Sequence, residues 1–96
     1  MTNTENLNRL YTLLDKAEKL SGQFIGGYSH QFLSAEDFHS ALIESIIKLK
    51  LGDIDQMRKL YIWFAPTCDW DDLVGKEGIS IGNEIFELLE TSIKQV

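Results

Sequence analysis

The amino-acid sequence predicts an all-α fold, a compact bundle of four main helices plus a short helical turn. Two observations carry this. Apolar residues recur at three- and four-residue spacing in four separate windows, and each window opens on a capping residue or closes on a helix breaker. The predicted helices lie near 3–21, 35–51, 54–64 and 80–95, with the turn at 69–74.

Thr2 and Glu5 have capping-box spacing at the start of the first helix. Leu7, Leu10, Tyr11, Leu14 and Ala17 follow on one face, with Leu20 behind them. Asp15 and Lys19 form an i, i+4 pair of the favourable orientation, and Gly22 is placed to end the helix. The stretch 23–33 is irregular. Gly26-Gly27 breaks the backbone, and Phe24, Ile25, Tyr28, Phe32 and Leu33 surround it. Five large apolar side chains cannot all face water cheaply, so this connector is expected to pack on the core as a loop, a helical turn or a hairpin. Ser34 and Asp37 give a second capping signature. Phe38, Leu42, Ile46 and Leu49, widened by Ile43 and Ile47, make a stripe suited to a central helix. Gly52 stops it. Asp53 caps the third helix, whose expected seam is Ile54, Met57, Leu60, Tyr61 and Phe64, and Pro66 ends it. Thr67 or Asp69 can cap the short turn that closes at Gly75. A loop at 76–78 leads to the last helix, with Ile81, Ile85, Leu88, Leu89 and Ser92 inward and Asn83, Glu84, Glu87, Glu90 and Lys94 outward. Gly82 costs this helix about 1 kcal/mol relative to Ala, which implies either close helix contact or a later helix start. The expected core is Leu10, Leu14, Phe38, Leu42, Ile46, Leu49, Leu60, Phe64, Ile85 and Leu89.

Ninety-six residues make one domain, 1–96, with 44% apolar and 25% charged residues. Cys68 stands alone, so no internal disulfide can form. No apolar run approaches the roughly 20 residues of a membrane span, and the expected location is the reducing cytoplasm. Net charge is −6 and uneven. Up to Cys68 there are eight acidic against seven basic residues; from Asp69 onward seven acidic residues face only Lys76 and Lys94, a balance of −5. That sign disfavours direct nucleic-acid binding and anionic membranes, and it attracts a basic partner. The alternative is a solvated, solubilising face.

No chemistry-bearing motif emerges. His30 and His39 lack metal-ligand spacing, with His39 expected at the surface beside Glu36. Cys68 lies beside Asp69, Asp71 and Asp72, and negative charge opposes a thiolate. The segment 69–72 lacks the oxygen ligand and the glycine of a calcium loop, since Leu73 and Val74 stand there. No catalytic residue, metal or cofactor is expected. Asp69-Trp70-Asp71-Asp72 instead reads as an aromatic anchor ringed by acids, with Trp70 as ordinary core the competing reading. With Glu77 and the row Glu84, Glu87 and Glu90, these residues form the candidate partner-binding surface.

The run Leu60-Tyr61-Ile62-Trp63-Phe64-Ala65-Pro66-Thr67, then Cys68-Asp69-Trp70-Asp71-Asp72-Leu73, then Gly82-Asn83-Glu84-Ile85, resembles the helical immunity proteins of contact-dependent growth inhibition and related polymorphic toxin systems. The resemblance covers chiefly 42–89. It implies a cytoplasmic bacterial protein that forms a heterodimer with a cognate toxin domain, a basic nuclease being the expected target. The competing expectation is a small helical adaptor or structural subunit that self-associates.

Overall fold

A computed structural model describes residues 3–27, 32–65 and 68–94. Expectations that fall on Thr2, Tyr28, His30, Pro66 and Thr67 lie outside the described residues. The order is α1 (Asn3–Ser21), α2 (Ala35–Lys50), α3 (Gln56–Phe64), α4 (Asp69–Leu73), a 3-10 turn (Gly75–Gly78) and α5 (Ile79–Lys94), with no strand segment among the described residues. The all-α bundle is therefore the fold. The α5 helix packs against both α1 and α3, and α2 closes the other side against the same two helices.

Helix ends follow local chemistry. Ser34 Oγ accepts the Asp37 N–H at 3.1 Å, satisfying one of the free donors of the first turn of α2. At the other end Gly52 takes φ +104, with Asp53 N–H bonded to Lys48 C=O and Gly52 N–H to Leu49 C=O, a Schellman pair that a side chain at Gly52 would strain. Asp53 acts from two residues before the N-cap position, Asp55. Its carboxylate accepts from Asp55 N–H and from the Gln56 amide, so 54–55 form a turn and α3 begins at Gln56. The residues 76–78, expected as a loop, continue the chain as a 3-10 turn directly into α5.

All ten expected core residues are buried, and Leu13, Ala17, Ala35, Met57, Trp63, Trp70, Leu73 and Val74 join them. The faces differ from expectation at α3. Its inward side is Gln56, Met57, Leu60, Trp63 and Phe64, whereas Ile54 is 51% exposed and Tyr61 half-buried. The cause is an aromatic cluster: Trp63 meets Phe32 and Phe38 edge-on at 5.3 and 5.9 Å between ring centroids, which turns α3 toward α2. Gln56 is buried with it. Its amide oxygen accepts from Ser45 Oγ at 2.8 Å, and no buried side-chain polar atom among the described residues lacks a partner.

Charged pairs join elements as well as turns. Asp15 pairs with Lys50 of α2 at 2.9 Å rather than with Lys19, because the α1–α2 crossing brings the lysine alongside. His39, expected at the surface, is half-buried with Nε2 3.1 Å from Glu18 Oε2, and it lies against Gly22. In the connector, Phe24 and Phe32 pack on the core while Ile25 and Leu33 are 86% and 85% exposed. Ala35 N–H to Gly26 C=O, 2.8 Å, and Gly26 N–H to Glu36, 2.7 Å, tie this connector to the start of α2.

Candidate protein-binding surfaces

The short α4 delivers Trp70 inward. The indole is fully buried, tilted on Phe64 at 4.8 Å and on Phe38 at 6.2 Å. Its Nε1–H donates to Gly78 C=O at 2.8 Å. The ring lies flush against Gly78 and Gly82: a Cβ at either position would come within 2.5–2.6 Å of it. Close helix contact is thus the reason for Gly82, and Trp70 is a core residue. This corrects the anchor reading, since an indole enclosed on all sides has no surface to offer a partner. Asp69 is also withdrawn, at 1% exposure.

The remaining acids differ in exposure and in pairing. Asp72 and Glu77 are exposed on α4 and the 3-10 turn, and Asp71 is half-buried. On α5 a three-residue step advances the helix by about 300°, so each carboxylate falls about 60° behind the last. Glu84 therefore turns toward α1, where Arg9 Nη2 donates to it at 2.6 Å, while Glu90 turns toward α3 and is held by Lys94 at 3.0 Å. Glu87, between them, is exposed and borders an open hollow with Glu84, Leu88 and α1. The exposed acidic face thus reduces to Asp72, Glu77 and Glu87.

A second surface was not anticipated. Arg58 and Ile62 stand one turn apart on the outer side of α3, with Ile54 in the turn just before it, and Ile54 and Ile62 are each about half exposed. A hollow of about 310 Å³ opens between this side and α5, lined by Arg58, Tyr61, Ile62, Glu90, Ile93 and Lys94. Tyr61 forms part of its floor and is fixed there by stacking on Phe86, 4.6 Å between centroids. Two smaller hollows adjoin it at shared residues, one at Arg58 and Ile93 that reaches Ile54 and one at Ile62 that reaches Lys59 and Phe32. The sequence held a signal for this: Ile62 falls outside the apolar seam of α3, and that helix carries Arg58 and Lys59 with no acid.

Elsewhere Lys48, one turn on from Glu44, holds that carboxyl below its usual range, and Glu44 raises the lysine in return. Among the described residues no three His, Cys, Asp or Glu side chains are grouped to hold a metal ion. Likewise no helix is long and apolar enough to cross a membrane. Cys68 is a half-buried free thiol just before α4. Comparison with protein-family models, curated protein sequences and solved structures gave no match.

Proposed function

We propose that this chain is a protein-binding inhibitor of the immunity type, acting in the cytoplasm to neutralise a cationic toxin domain, a basic nuclease being the leading candidate. The observation that supports it most is the charge of the C-terminal third, a balance of −5 with Asp72, Glu77 and Glu87 exposed. Carboxylates presented on rigid helices offer a basic groove the charge that a phosphate backbone offers. Long-range attraction of this kind raises the association rate and falls with salt. The resemblance of 42–89 to immunity proteins supplies the toxin as the partner class.

Co-expression with a toxin domain encoded next to this chain tests the reading: the wild type rescues growth. The combined change Asp72→Asn, Glu77→Gln and Glu87→Gln keeps shape and removes three charges. It slows association and flattens the salt dependence while the helical circular dichroism is unchanged. Equal association rates and equal salt slopes for both forms would remove the acidic face from the interface, and lack of rescue by the wild type would remove the inhibitor reading.

Self-association as a structural subunit is the second reading, favoured by the exposed Ile25 and Leu33 of the connector. It requires a homo-oligomer in sedimentation that is insensitive to salt and is dissociated by Ile25→Ser with Leu33→Ser.

A further inference from the structure

We propose that the groove along the outer side of α3 is a second docking surface, and that it takes an amphipathic helical segment of a partner carrying carboxylates beside its apolar face. The proposal is independent of what the acidic face binds. Three features of the groove define the occupant.

The floor is apolar and preformed. Ile62 and Ile93 flank Tyr61, whose ring is already stacked on Phe86, so little side-chain ordering remains to oppose binding. The groove is also elongated. From Gln56 to Ile62 the helix rises about 9 Å, and the turn before it carries Ile54 beyond that, room for a docking helix to present side chains at i, i+4 and i+7.

The charge is opposite to that of the molecule. Arg58, Lys59 and Lys94 border the groove against Asp55 and Glu90, and Glu90 is already held by Lys94. Arg58 and Lys59 make no ion pair within 4 Å among the described residues, and Lys59 acts on Glu44 only from farther away. Both border a hollow with Ile62, so a carboxylate on the occupant would reach a cation while its apolar neighbours settle on the isoleucines. An arginine suits this task because its planar fork grips a carboxylate with two parallel bonds. A second copy of this chain fits less well. A twofold axis through the groove would bring the two Arg58 side chains together, and each copy carries a net charge of −6.

Two synthetic amphipathic helices of about four turns test this, sharing one leucine face and differing only in flanking residues, glutamate in one and lysine in the other. Methyl resonances of the isoleucines report the site. The glutamate peptide is expected to shift Ile54, Ile62 and Ile93, and to bind about tenfold more tightly than the lysine peptide at these positions. Arg58→Glu should reverse the preference and Ile62→Asp should abolish binding, both with unchanged circular dichroism because the two side chains point outward. The proposal is overturned by equal affinity of the two peptides, by shifts confined to other isoleucines, or by the absence of binding. It is also overturned if the chain alone sediments as a dimer that Ile62→Asp dissociates, since the groove would then be a self-association face.

Discussion

A methyl group added at Gly82 would have two opposed effects. It would raise the intrinsic stability of α5 by about 1 kcal/mol, because Gly loses more backbone freedom than Ala on folding. It would also place a carbon 2.6 Å from Trp70 Cδ1 and Nε1. The indole cannot retreat, since it is bonded to Gly78 C=O and backed by Phe64. Overpacking of a closed core costs about 1–3 kcal/mol, so Gly82→Ala is expected to be net destabilising, by up to roughly 2 kcal/mol. Chemical denaturation measures it. Combining Gly82→Ala with Trp70→Leu should show a favourable coupling, because the clash disappears with the ring. A neutral or stabilising Gly82→Ala would mean that α5 and α4 do not meet as closely as the structure has them. The same enclosure makes Trp70→Ala a test of folding rather than of partner binding.

At the scale of elements, helix boundaries and helix faces were legible in the sequence to different degrees. Ser34, Gly52 and Gly75 act through bonds and dihedral angles within a few residues, so the ends they set could be read locally. Ser34→Ala is accordingly expected to cost about 1 kcal/mol, seen as a lower denaturation midpoint with an unchanged slope. Faces depend on neighbours. The spacing of α3 accommodates a seam of Ile54, Met57, Leu60, Tyr61 and Phe64, and equally one that includes Gln56 and Trp63. The second is the one formed, because Trp63 finds Phe32 and Phe38 while Gln56 finds Ser45. Buried glutamine is unfavourable until its partner is supplied from another helix, and nothing in α3 itself announces Ser45. Likewise Asp15 has Lys19 one turn away yet pairs with Lys50 across the helix crossing.

For the molecule as a whole, stability rests on one core to which every helix contributes. Leu42 and Leu60 are both completely buried, on the two helices that enclose Phe38 and Trp63. Leu42→Ala or Leu60→Ala should each cost about 2–5 kcal/mol, a large part of what holds a domain of this size, and thermal melts should fall by many degrees. A shift of only a degree or two would contradict the observed helix phases. Surface charge is separate from this. Glu77 and Glu87 are exposed, so their removal is expected to change association with a basic partner and to leave the melting temperature almost unmoved.

The sequence by itself determined the all-α class, the number and approximate limits of the helices, and ten residues of the core, because hydrophobic periodicity and capping are properties of short segments. It also determined the charge imbalance, which is a matter of counting. Only the tertiary structure decided how the candidate surface is composed. It drew Trp70 and Asp69 inward, bound Glu84 to Arg9 and Glu90 to Lys94, and left Ile54, Arg58 and Ile62 as an exposed stripe. The physical reason is that an amphipathic segment specifies that it has an apolar side and leaves its partners open. Which residues at the margins of that side are covered depends on the crossing of helices far apart in the chain, and here on the space that Gly78 and Gly82 leave for one indole.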